Sequence, residues 1–153
     1  MYRVVLDPVV MLRGLLNRAS PCRYLLSDYA DHYRAIFSNE TVGAIRVLLA
    51  HPLLTVAFPP LSGLNVSSLA QTFLCAERVQ LPRDPGDSVF VAVARVAQAD
   101  FLVCEDRRLL ARRDCLGVPV IQTCPFLALL DPDRFRAYSD DTQEATSSER
   151  MAD

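Results

Sequence analysis

Three groups of carboxylates stand where an extended run or a turn hands over to a helical pattern: Asp7 after YRVVL, Asp84 and Asp87 in RDPGDS, and Glu105 with Asp106 after FLVC. Brought to one edge of a sheet, like charges repel and raise one another's pKa unless a cation neutralises them. Oxygen ligands with no Cys or His among them suit Mg²⁺ or Mn²⁺. Such an ion can activate a water and clamp a phosphodiester for in-line attack. The same acids also read as helix caps, since Asp7 precedes Pro8, a residue suited to the first turn of a helix, and Asp87 and Asp106 precede further helix starts. Spacing alone leaves both readings open.

Other chemistries that use acids at strand ends are tested by neighbouring residues. A haloacid-dehalogenase-type phosphatase needs a second Asp two residues after the first, and Val9 occupies that place. A receiver domain needs an acidic pair near the first strand and a Lys near the last. All 16 basic residues here are Arg, so lysine-dependent mechanisms are excluded. A P-loop is missing, and Gly14 stands alone where a dinucleotide-binding glycine fingerprint would need three. Five cysteines without a CxxC or a His at ligand spacing argue against zinc. They read as buried thiols kept reduced in the cytoplasm.

These residues need a scaffold. The chain has 153 residues, a formal net charge of −2 and 51% hydrophobic residues. That favours one domain, expected over residues 1–138, with no global charge that advertises a nucleic-acid or membrane partner. No apolar run reaches ~18 residues and the opening lacks a leader pattern, so neither export nor membrane spanning is expected. Strands are expected at 2–6, 34–37, 78–81, 101–104 and 118–121, alternating with helices, which predicts a three-layer α/β domain with a mainly parallel sheet. Helices are expected after Asp7, from Cys22 to Ala30, from Ser38 to His51, over LAQTFLCAERV, over VFVAVARVA, over RRLLARRDCLG to Gly117, and over 125–130. From about Ser139 the sequence turns polar and acidic, and residues 139–153 are expected to be a disordered tail.

The order of motifs resembles the PIN-domain family, in particular its bacterial branch of toxin components from toxin–antitoxin pairs. The resemblance covers about residues 1–130. It rests on VVLD at the first strand, on S-x-E with LLAHPLL in the third helix, on RDPGDSVFVAVARVAQADFLVCEDRRLL, and on GVPVIQT, all in the family's order and separations. It implies an Mg²⁺- or Mn²⁺-dependent ribonuclease that cuts single-stranded RNA in the cytoplasm, partnered by an antitoxin and forming a homodimer. By position, Asp7 and Asp106 match family acids, and Asp87 stands beside a third, replaced here by Ser88. The family's Glu in the third helix is Ala44; Glu40 lies one turn earlier on the same face. Glu40, Asp84, Ser88 and Glu105 are the further members of the expected site, with Asp7, Asp87 and Asp106 as its catalytic metal ligands. Pro8 and Val9 replace a Thr-Asn pair, and Cys104 and Arg108 replace a Thr and an Asp. The implied site is therefore weakened, and a catalytically degenerate PIN fold that binds RNA or a protein partner is the alternative. Arg83, Arg107, Arg108, Arg112 and Arg113 are candidate phosphate contacts, the last four alternatively a solvated helix face.

Overall fold

The computed structural model describes residues 1–52, 76–83, 88–113 and 116–136. Asp84, Asp87, most of the expected fourth helix and the expected tail lie outside the described residues.

The first strand, β1 (Tyr2–Leu6), runs into Asp7, the cap of α1 (Pro8–Leu16). Ser20 caps α2 (Pro21–Leu26) by accepting from Cys22 N at 3.2 Å. Sequence periodicity carried this helix to Ala30. It stops at Leu26 because Ser27 turns its hydroxyl back onto the Arg23 carbonyl at 2.7 Å, a local bond that competes with helix continuation. A single 3-10 turn (Ala30–His32) leads into β2 (Tyr33–Phe37). His32 is exposed and lies 5.1 Å from the Tyr29 ring, centroid to centroid. Helix α3 (Asn39–Leu49) is capped by Ser38, and the reciprocal partner is Thr41. Ser38 N donates to Thr41 Oγ1 at 2.8 Å and Thr41 N to Ser38 Oγ at 3.2 Å, both residues being buried.

The least regular expectation is corrected most. Helix was expected through Val79 and strand from Arg78 to Leu81, whereas Glu77–Arg78 form β3, a short edge strand parallel to β2. Sheet pairing and a salt bridge from Glu77 to Arg3 across the sheet override the local helical pattern. Numbering the described elements on, α4 (Val89–Val96) precedes β4 (Phe101–Val103), α5 (Arg107–Ala111) follows it, and β5 (Val120–Ile121) precedes α6 (Thr123–Leu130). The helix expected to reach Gly117 ends at Ala111, with Leu109 and Leu110 packed partly buried against the core. Gly117 instead occupies a left-handed conformation, φ 69°, in the loop before β5.

The sheet order is β3-β2-β1-β4-β5, with every neighbouring pair parallel. The α/β expectation holds, in its all-parallel form among the described strands. Parallel strands buried on both faces read as continuous apolar runs, and Val4, Val5, Leu6, Ile36, Leu102 and Val103 are each 0% exposed. Alternation sends Tyr2, Tyr33 and Phe101 to the face where Phe126 of α6 meets all three rings at 5.8–6.1 Å. Arg3, on the alternate face, reaches the end of α4, donating to the Ala97 carbonyl at 2.9 Å. Gly14 explains how closely α1 and α2 approach: an added Cβ would stand 2.8 Å from the Cys22 carbonyl oxygen and 2.5 Å from Leu26 Cδ1. Beyond α6, Tyr29 donates to Asp131 at 2.7 Å and Arg134 lies 5.0 Å over the Tyr24 ring, fastening residues 131–136 to the α2 region.

Candidate active site

Strand order decides where chemistry can be built. The chain leaves β1 toward β2 and β3 on one side, then returns to place β4 and β5 on the other. Between β1 and β4 the connections diverge, and the crevice outside the carboxyl ends of two such strands is the usual binding position of an open parallel sheet. Register puts Leu6 opposite Val103, so Asp7 leaves β1 where Cys104, Glu105 and Asp106 leave β4. Asp7 N extends the ladder by donating to the Val103 carbonyl at 2.9 Å.

Two of the expected acids at this crevice, Asp7 and Asp106, are also caps. Asp7 Oδ2 accepts from Val9 N at 3.1 Å, and Asp106 Oδ1 accepts from Arg108 N at 2.8 Å. Each cap occupies one carboxylate oxygen. The other oxygen of each makes no hydrogen bond to a described residue. Asp7 is only 6% exposed, and burial pushes its carboxyl up to about 6; the Val9 N–H opposes this, while the charges of Asp106 and Glu105 add to it.

Glu105 has a different setting. Its Oε1 accepts from Thr123 N at 2.9 Å, at the first residue of α6, while Oε2 lies 3.7 Å from Arg13 Nη1 near the end of α1. Neither Arg13 nor Thr123 was expected at the site. Thr123 follows β5 at the same sheet edge, a positional signal that was there to be used; Arg13 carried none. Cys104 is buried, and its thiol is raised to about 11, by desolvation first and by the charges of Asp7, Asp106 and Glu105, against a backbone hydrogen bond at Asp106. It stays protonated, which suits a packing residue better than a nucleophile or thiolate ligand.

The other expected residues that fall among the described ones have their own settings, while Asp84 and Asp87 lie outside the described residues. Glu40 is exposed at the first turn of α3, held below the usual carboxylate range by hydrogen bonds to its own backbone and to Ser38. Ala44, at the position of the expected family Glu, is half-buried against the core. Ser88 is exposed at the N-cap of α4 and makes no capping bond. Arg83, Arg107, Arg108, Arg112 and Arg113 are exposed, and none forms a salt bridge with a described residue.

Residues 3–108 match the family model described as the PIN domain. The chain belongs to the PIN domain family. A solved structure of VapBC2 from Rickettsia felis bound to a DNA fragment from their promoter matches with a TM-score of 0.51, covering 78% of this chain and 98% of that one at 9% identity. At that identity the likeness concerns the fold. No curated protein matches the sequence. Among the described residues no helix is long and apolar enough to cross a membrane.

PIN nucleases typically use divalent metals, and the donor chemistry here is compatible with a hard cation. Two carboxylates each keep an oxygen outside their caps, and Asp7 carries a desolvation and like-charge penalty that a cation would relieve. No group of three His, Cys, Asp or Glu side chains among the described residues is arranged to hold a metal. Mg²⁺ can be held by one or two carboxylates completed by waters and substrate phosphates, so Asp7 and Asp106 are the residues that would hold it.

Proposed function

We propose that this PIN-domain chain is an Mg²⁺- or Mn²⁺-dependent endoribonuclease acting on single-stranded RNA, the toxin component of a toxin–antitoxin pair, with a site reduced to Asp7, Asp87 and Asp106. The observation that carries this reading is the placement of Asp7 and Asp106 at the carboxyl ends of adjacent strands, across the point where the connections diverge. Family membership supports a nuclease. The fold shared with the VapBC2 structure favours an antitoxin partner, and the family resemblance favours a homodimer. Free Cys22, Cys104 and Cys124 suit a reducing cytoplasm.

When bound, a divalent ion would supply Lewis-acid polarisation of the phosphodiester and a more acidic water. The chain's own contribution is orientation. The Val9 and Arg108 amides fix one oxygen of Asp7 and of Asp106, so that each carboxylate presents its other oxygen without searching rotamers. Asp87 is the third acid of this proposal by sequence. Exposed Arg107, Arg108, Arg112 and Arg113, with Arg83, would hold the RNA backbone by charge-assisted bonds. With Mn²⁺, the purified protein should cut unstructured RNA, and Asp7→Asn or Asp106→Asn should abolish cutting without lowering the melting temperature. Cutting that persists in both variants sinks the assignment.

A second reading, a degenerate PIN fold acting through binding alone, is favoured by one observation: Ala44 stands where the third-helix Glu was expected, and Glu40 is occupied at its own helix start. It predicts RNA retention without cleavage in the same assay.

A further inference from the structure

The acid adjacent to Asp106 does different work. Helix α6 begins with Gln122 at its N-cap, and this residue makes no side-chain capping bond. The first N–H groups of a helix need acceptors, and the one at Thr123 finds its acceptor 18 residues away, in Glu105 at the end of β4. The opposite oxygen of the same carboxylate faces Arg13 in the last turn of α1. Glu105 thus touches the two helices that flank the crevice, α1 through Arg13 and α6 through its first amide, while its own backbone leads directly into Asp106. Its side chain is 15% exposed, against 58% for Arg13, so the bond to α6 is shielded and the ion pair is wet.

From this geometry we infer that Glu105 is a positioning residue: it caps α6 from another strand and holds the carboxyl end of β4 in the place where Asp106 can act with Asp7. The inference rests on the reading of Asp7 and Asp106 as the metal-holding pair, and it gives Glu105 a role in the expected site other than ligation. Both carboxylate oxygens have protein partners, whereas Asp7 and Asp106 each keep one that has none among the described residues. The shielded bond to Thr123 requires an acceptor oxygen and no charge, so Gln should substitute for Glu there. The ion pair to Arg13 requires the charge, and its exposure makes it weak. A ligand would show the opposite dependence, since an amide is a far poorer donor to a hard cation than a carboxylate.

The test uses the full chain as Glu105→Gln, Glu105→Ala and Asp106→Asn, with two readouts. In metal-free protein, amide NMR reports the Thr123 and Arg108 N–H groups, the latter through the cap that Asp106 makes. Both resonances should stay near their wild-type positions in Glu105→Gln, and both should move in Glu105→Ala. Mn²⁺ titration then separates positioning from ligation. Affinity should fall by no more than about fivefold in Glu105→Gln, the effect of a wet ion pair. It should fall by roughly 10-fold or more in Glu105→Ala, as for the loss of a residue that orients a ligand, and be lost in Asp106→Asn. Glu105→Gln losing Mn²⁺ as fully as Asp106→Asn would overturn the inference by making Glu105 a ligand. An unmoved Thr123 amide in Glu105→Ala would overturn it by removing the cap. An unmoved Arg108 amide beside a moved Thr123 would do so too, because Asp106 would then not depend on the cap. If the wild type binds no Mn²⁺, the metal reading fails together with the role assigned toward Asp106, and the NMR arm alone decides whether the cap exists.

Discussion

The two edges of the same parallel sheet treat charge in opposite ways. At the amino edge, Arg3 is saturated: its guanidinium pairs with Glu77 and donates to the Ala97 carbonyl, and its backbone N–H donates to Asp100 at 2.7 Å. Glu77 is held below the usual carboxylate range by that Arg3 bond. At the carboxyl edge, Asp7 is buried beside Asp106 and Glu105 and pushed upward to about 6. The salt bridge reaching these acids among the described residues is the loose one from Arg13 to Glu105. One edge satisfies its charges internally and fastens β1 to β3 and α4. Among the described residues the other leaves negative charge partly unanswered, and such a perturbed cluster is a candidate functional site.

The comparison can be broken most severely through Gly14. Gly14→Ala forces a methyl against the Cys22 carbonyl, and such overpacking should cost about 3 kcal/mol in urea denaturation. Because α1 starts at Asp7, Mn²⁺ binding should suffer in the surviving folded fraction as well. A near-neutral change would mean that α1 and α2 can separate freely. A smaller effect belongs to the amino edge. Arg3→Met should cost about 1 kcal/mol, discounted for a pair that is roughly one-third exposed, and should leave the Mn²⁺-induced rise in melting temperature intact. Loss of that rise would show that the two edges are not independent. The smallest change is expected at the exposed arginines. In an Asp106→Asn background that keeps RNA intact, Arg112→Ala should lower the slope of log affinity against log salt by about 0.7. Stability should stay within about 0.5 kcal/mol of the parent.

How much of this was legible in the sequence depended on whether the signal was local. Tyr2–Leu6 and Phe101–Val103 announced buried strands by apolar runs, and the acid closing each run came with them. The cap reading of Asp7 and Asp106 is borne out and leaves the site reading open, since a cap occupies one oxygen of two. What could not be read were relations across the sheet. Glu77 and Arg78 looked like the end of a helix because β2 and Arg3, which make them an edge strand, lie about 40 or more residues earlier. The bond from Thr123 to Glu105 could not be read either, because it forms only once β4 and β5 are paired. The basic run from Arg107 promised a longer helix than the one that ends at Ala111, and the structure offers no reason for the early stop.

The central claim is that the carboxyl edge holds a negative charge at Asp7 that the protein alone does not neutralise and a divalent cation does. Melting temperatures of the wild type and Asp7→Asn, with EDTA and with Mn²⁺, test this directly, since Asn keeps the cap to Val9. A folded pKa of about 6 against an ordinary 3.8 means that the contribution of Asp7 is fully present below pH about 4 and lost as pH rises through 6. The deficit reaches about 3 kcal/mol at pH 7.5. In EDTA at pH 7.5, Asp7→Asn should therefore melt above the wild type, with the gap closing toward pH 4. Mn²⁺ should raise the wild type and leave the variant unmoved. A variant that melts below the wild type in EDTA, with Mn²⁺ shifting neither protein, would contradict the account.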